Sequence, residues 1–165
     1  MSIIMPRTLP ILPMRNAVLF PGISLPITAA RPPTLRAIEA AMRDPEHRVL
    51  AVAQRGDADE VTPEGLYTIG TIATISSLER GLGGVRVALE GHERGIVMRV
   101  TPKDGYLLAT VHDLAQMRRR VLALRQSLVA HFGEDAFLRC ESMGALVREN
   151  LRQIQRAEKA RSART

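Results

Sequence analysis

Runs of strand-forming side chains on either side of a glycine-rich break commit the middle of this chain to antiparallel strands. Val85, Val87 and Leu89 alternate with Arg86, Ala88 and Glu90, and Ile96, Met98 and Val100 repeat the pattern. A period of two puts one set of side chains on a buried face and the other in water. Upstream, Tyr67 to Leu78 is rich in Thr and Ile, the shapes that suit a pleated surface. Gly81, Gly83 and Gly84 lie between the runs, where glycine supplies the positive φ that a hairpin loop needs. The segment Val49–Gln54 (VLAVAQ) is nearly continuous in apolar character and reads as a central strand.

From Thr8 to about Leu114 the chain therefore reads as short strands with one inserted helix. That helix starts after Pro32–Pro33, whose fixed φ suits a first turn, and ends near Asp44–Pro45. Leu35, Ile38 and Met42 share one of its faces. The acidic run RGDADEVTPEG, Arg55–Gly65, is predicted to be an irregular surface loop. From Ala115 the period lengthens. Met117, Val121, Leu124 and Leu128 step by 4, 3 and 4, and Gly133 ends that helix. Glu134 and Asp135 favour the start of a second helix, with its stripe at Met143, Val147, Leu151 and Ile154. Ser142 and Gly144 divide it if there are three helices, and the final AEKARSART is expected to fray.

Charge separates the same two regions. Through Leu114 there are 12 Lys+Arg against 12 Asp+Glu, and from Ala115 onward 11 against 5, so the tail carries the whole excess, 11 − 5 = +6. The predicted organisation is a β-rich domain over 1–114 and a basic helical extension over 115–165. With 165 residues, 45% of them apolar, the chain can bury a core without metal or disulfide staples. Its apolar stretches fall short of the roughly 18 residues that a membrane span needs. Pro6, Pro10 and Pro13 spoil the start as a signal peptide. A cytoplasmic protein with no membrane contact is expected. Cys140, the only cysteine, excludes an intramolecular disulfide and reads as a small buried hydrophobe.

The constellations that carry chemistry are missing. A P-loop places its lysine before Ser or Thr, but neither Lys103 nor Lys159 stands there, and the GLGGV run leads into a strand. His47, His92, His112 and His131 are scattered, without a Gly-x-Ser-x-Gly elbow. His92-Glu93 lacks a second ligand four residues on, so the zinc-hydrolase signature fails. Asp57, Asp59 and Glu60 lack the glycine and glutamate of a calcium loop. We expect no enzyme activity, no cofactor and no metal. Arg118, Arg119, Arg120 and Arg125 offer contacts to nucleic acid or to an acidic partner, although the tail supplies only Phe132 and Phe137 as aromatics.

Read as a whole, the front of the chain resembles the amino-terminal substrate-recognition domain of Lon proteases. The matching pieces are LPILPMRNAVLFPGISLPI (Leu9–Ile27), EAAM (Glu39–Met42), VLAVAQR (Val49–Arg55), LYTIGTIATI (Leu66–Ile75) and VRVALEGHERGIV (Val85–Val97), colinear over about two thirds of the chain. The resemblance implies an α+β fold of bacterial type, a PUA-like β pseudobarrel with one inserted helix, followed here by a helical tail. It also implies capture of unfolded or tagged polypeptides, in association with a separate ATP-dependent protease that is served or modulated. The ATPase and peptidase regions that follow in Lon proteases have no counterpart in the sequence.

The expected contact surface is the proline-punctuated loop holding Phe20, Pro21, Ile23, Leu25 and Pro26, with Leu78 and Leu82 nearby. Ile23 and Leu25 fit equally well as core residues of a β-arch, and both readings stay open. The helices are expected to cap the β domain or to self-associate. Two alternatives stand beside the recognition module: a PUA-like nucleic-acid binder using the basic tail, and a fragment of a full-length Lon protease.

Overall fold

The expected hairpin is the longest feature of the fold. In this computed structural model, which describes residues 5–133, β4 (Ile69–Gly81) and β5 (Gly84–Lys103) pair antiparallel from Ile69↔Ile96 to Gly81↔Gly84. Leu82–Gly83 makes the turn. Of the three glycines there, only Gly84 has a positive φ, at 129°. A Cβ on Gly84 would lie 2.3 Å from the Ala29 carbonyl oxygen, so close approach of a third strand demands glycine as much as the turn does.

The strands are not uniformly short. Ile96–Val100 belongs to β5 itself, which runs for 20 residues. Register shifts opposite Ile72/Ala73, Ile75/Ser77 and Val97/Arg99 let this one strand bend without ending. The remaining strands are β1 (Arg7–Met14), β2 (Ser24–Ala29), β3 (Arg48–Ala53) and β6 (Tyr106–Asp113). The mixed sheet has the order β2-β5-β4-β3-β1-β6, and β5 also pairs with β6, so five of the strands form a closed hydrogen-bonded circuit. Only β1 and β3 run parallel. The β5–β6 turn is Asp104–Gly105, with φ of 49° and 80°, the two consecutive positive values of a primed hairpin turn.

The α+β class and the inserted helix are as expected. The central strand is too. β3 buries Val49, Leu50, Ala51 and Val52 in succession because both of its faces are covered. Val49 and Ala51 join a core with Leu12, Ile75, Val87, Leu89 and the helix, while Leu50 and Val52 join a second core with Ile11, Ile72, Ala109 and Val111.

Helix α1 (Pro32–Arg43) ends where predicted but takes both prolines into its first turn, and its buried face is rotated. It buries Thr34, Ala37, Ile38 and Ala41, while Leu35 is half-buried and Met42 faces solvent. Small side chains win the inner face because they let the helix backbone approach the sheet closely. The acidic loop is likewise not wholly irregular: Pro63–Gly65 forms one 3-10 turn, capped by the Thr62 hydroxyl accepting from Gly65 N–H at 3.3 Å. Arg15 donates to Asp59 at 2.8 Å, and that hydrogen bond, with the Arg15 charge, holds the Asp59 carboxyl below its ordinary value.

β2 lies at one end of the sheet order, paired only with β5. Gly91 N–H donates to the Ile23 carbonyl at 2.9 Å, which sets the ladder's parity: backbone groups at odd positions face β5 and those at even positions face the open side. Pro26 therefore occupies an outward position, where its missing N–H leaves no ladder bond unmade.

The chain divides into two compact units after Arg118, and each is described by itself. That point lies inside α2 (Leu114–Phe132), whose first turn is capped by Asp113 Oδ1 accepting from Ala115 N–H at 2.7 Å and Gln116 N–H at 3.1 Å. Gly133, with φ of 82°, ends it by donating to the Val129 carbonyl at 2.8 Å. The second helix, its Met143–Ile154 stripe, Cys140 and the frayed end lie outside the described residues.

The rotated helix face is directly testable. Ile38→Ala should cost about 2–5 kcal/mol of unfolding free energy. Met42→Ala should stay within about 0.5 kcal/mol in the same urea titrations.

Candidate functional site

The loop joining β1 to β2, residues 15–23, combines firm anchoring with apolar exposure. Leu19 enters the core with 2% of its surface exposed. Its carbonyl accepts from the buried Thr71 hydroxyl at 2.6 Å and from Arg94 Nη1 at 3.3 Å, and Arg94 Nη1 also donates to Thr71 Oγ1 at 3.0 Å. Beyond it, Ile23 N–H donates to the Phe20 carbonyl at 3.2 Å and Gly22 N–H to the Gly91 carbonyl at 2.8 Å. Gly91 is required by contact, since a Cβ there would lie 2.4 Å from the Phe20 carbonyl oxygen.

Around these anchors the apolar side chains turn outward. Val18, Phe20 and Ile23 are 50%, 57% and 52% exposed. Immobilised backbone with exposed apolar side chains is the arrangement expected of a contact surface. The Arg94 guanidinium sits 5.7 Å from the centre of the Phe20 ring, within cation–π reach.

The surface continues past the loop. Val18, Tyr67, Ile69 and Arg94 help to wall a notch of about 270 Å³. Leu66, Tyr67, Val97, Met98 and Arg99 help to wall another of about 210 Å³. Tyr67 and Thr68 line both. Arg55 lies 4.8 Å over the Tyr67 ring and donates through Nε to the Leu66 carbonyl at 3.1 Å.

The expected contact residues are only partly brought together. Phe20, Pro21 and Ile23 are exposed on the loop as anticipated. Leu25 and Pro26 belong to β2, and Leu25 packs against the first core, as does Leu78 of β4. The β-arch reading thus fits Leu25, and the surface reading fits Ile23. Leu82 is fully exposed at the β4–β5 turn. β2 separates it from Ile23: the Ile23 end pairs near Gly91 and the Ala29 end near Val85, roughly 20 Å away at about 3.3 Å per residue. Leu82 is therefore at the far end of the ladder from Phe20.

Val18, Tyr67, Ile69 and Met98 were not anticipated at the surface. Ile69 and Met98 sit in apolar alternation that signals strand, but alternation does not say which face is covered. Arg118, Arg119 and Arg120 are exposed on α2. At 3.6 residues per turn, successive positions fan over about 200° of the helix, so the three do not make one stripe. The residues Met117, Val121, Leu124 and Leu128 form a real helical face, but no residue of α2 is fully buried.

The histidines sit on separate elements: His47 before β3, His92 in β5, His112 in β6 and His131 in α2. His92 Nε2 shares a 2.7 Å hydrogen bond with the Thr74 hydroxyl. Among the described residues no three His, Cys, Asp or Glu side chains gather as a metal site. No helix there is long and apolar enough to cross a membrane.

Comparison with known proteins places this geometry. The family described as ATP-dependent protease La (LON) substrate-binding domain matches residues 8–162. The chain is similar to Lon protease 1 of Sorangium cellulosum, 46% identical over 95 residues, covering 56% of this chain and 12% of that protein. It is also similar to the Lon protease of Haemophilus influenzae, 41% identical over 90 residues, covering 53% of this chain and 11% of the relative. The chain thus spans about one eighth of the length of these relatives. Among solved structures, the N-terminal domain of a Mycobacterium avium complex Lon protease superposes with a TM-score of 0.55 at 21% identity, covering 81% of this chain and 75% of that one. A Lon N-terminal domain protein from Xanthomonas campestris gives 0.50 at 19% identity, covering 65% and 59%. At such identities the superpositions show the fold alone.

The anchoring network predicts the behaviour of one near-isosteric substitution. Thr71→Val should lose about 1–3 kcal/mol, because the Leu19 carbonyl keeps only its longer bond to Arg94. Urea denaturation reads the loss, and limited proteolysis should show earlier cleavage within 15–23.

Proposed function

The chain belongs to the Lon substrate-binding domain family, and from that premise we propose that it is a polypeptide-recognition module that carries no chemistry of its own. Its clients are unfolded or tagged chains, and it presents them to a separate ATP-dependent protease or modulates one. The observation that carries the reading is the pinned loop that leaves Val18, Phe20 and Ile23 exposed within six residues of one another. A flexible loop would collapse such side chains onto the sheet. A pinned one keeps them available, and binding then costs little further ordering.

The working face in this proposal is Phe20, Pro21 and Ile23 with Val18, Tyr67, Ile69 and Met98. Leu25 and Leu78 support it from the core. Apolar contact suits clients that share no sequence, because burial is non-directional and scales with the area removed from water. Arg118, Arg119 and Arg120 fan around α2 and only Arg125 returns to the face of Arg118, so the described part of the tail offers nucleic acid no continuous track.

The test is binding of a permanently unfolded protein, reduced and carboxymethylated α-lactalbumin, read by fluorescence anisotropy. The expected result is saturable binding that weakens about tenfold or more in the double variant Phe20→Ser, Ile23→Ser, roughly 1.5–3 kcal/mol per buried side chain being at stake. The melting temperature should hardly move, because both side chains are exposed. Equal binding by this variant, or turnover of ATP or peptide by the purified chain, would overturn the proposal.

A further inference from the structure

The two notches beside Tyr67 have walls of one electrical sign. Arg94 lines one, Arg99 lines the other, Arg55 covers the Tyr67 ring between them, and no carboxylate lines either. Through Leu114 the β-rich region carries 12 cations against 12 acids, and three of those cations, Arg55, Arg94 and Arg99, border notches whose walls hold no carboxylate, leaving 12 − 3 = 9 against 12 in the rest of the region. The remaining surface of both notches is apolar or Thr68. Their volumes, about 210 and 270 Å³, fall below the roughly 300 Å³ at which small-molecule sites begin. They suit single side chains.

Resting on the recognition reading above, we infer that this face selects extended polypeptide segments in which apolar or aromatic side chains are flanked by Asp or Glu. The apolar side chains enter the notches on either side of Tyr67. The flanking carboxylates meet Arg99 and Arg55 at the rim and the outer edge of Arg94, whose remaining donors hold Leu19 and Thr71. Lysine-flanked segments are repelled by the same three guanidinium groups. An unfolded chain thus becomes a graded substrate: apolar content sets whether it binds, and the sign of the flanks sets which segment is held. Nucleic acid shares the negative charge, but the walls offer apolar hollows to fill rather than a charged track for a backbone.

The experiment uses the full chain and short fluorescein-labelled peptides with one Phe-Leu core, flanked by Glu, by Gln or by Lys. Carboxymethylated α-lactalbumin runs in parallel. The expected order is Glu, then Gln, then Lys, with about tenfold between the extremes at low salt. The gap should narrow as ionic strength passes the physiological value, because these charges are at the surface. Arg99→Glu, an exposed position, should erase most of the preference, read as the ratio of the Glu-flanked to the Lys-flanked affinity. Arg55→Gln serves as a second variant should Arg99→Glu fail to fold, and should halve the preference or more. Equal affinity for all three peptides, with α-lactalbumin still bound, would overturn the inference and spare the recognition reading. Failure to bind either probe would overturn both. Displacement of the peptide by an oligonucleotide, or by a second copy of the chain as its apparent mass doubles with concentration, would also overturn the inference.

Discussion

A single strand of 20 residues, β5, hydrogen-bonds to β2 and β4 along its first half and to β6 along its second. Through that double engagement the sheet returns on itself and leaves two cores, each fed by alternate residues of β1, β3 and β4. A strand that long must bend to meet partners on different sides, and the register shifts near Ala73, Ser77 and Arg99 are where the bending occurs. Gly91 and Gly95 both pair with β4, and Gly95 is also where the pairing with β6 begins. At each, an added Cβ would meet a neighbour at 2.4 Å, the Phe20 carbonyl in one case and the Val111 side chain in the other. The strand's glycines are places where something else comes close.

One of those close approaches ties the long strand to the β1–β2 loop. Because Gly91 lets the Phe20–Ile23 turn lie on the sheet, and because Thr71 and Arg94 share the Leu19 carbonyl, the loop backbone is held from beneath. The free energy for that comes from Leu19 in the core and from satisfied backbone groups, not from the side chains that face out. Exposed Phe and Ile on a fixed backbone are thereby kept from burying themselves. Stability and the exposed apolar surface draw on different residues, so one can vary without the other.

How much of this was legible in the sequence varied with the physics behind each signal. Alternation and turn residues revealed the β4–β5 hairpin, and the unbroken VLAV run revealed a strand covered on both faces, because both depend on local period. Burial of one helix face over another did not follow from hydrophobicity alone. Ala37 and Ala41 lie inward and Met42 outward because the distance to the sheet, a tertiary quantity, rewards small side chains. Asp104–Gly105 is a local hairpin signal of the same kind, and it pairs β6 with β5. The candidate surface was half visible: the proline-flanked Phe20 and Ile23 stood out, but Tyr67 and Met98 look like any strand-forming residues until their neighbours are known. Leu78 and Leu82 are close in sequence and lie in opposite environments, one against the core and one at a turn in water.

Pro26 has a bearing beyond its place in β2. Unfolded chains are the most willing donors of an extra strand, and an unpaired edge is where they attach and seed cross-β growth. On β2 the outward side offers the N–H groups of Ser24 and Thr28 but none between them, so a foreign strand finds its ladder interrupted at mid-length. One imino acid at an even position thus makes this edge a poor template for cross-β growth.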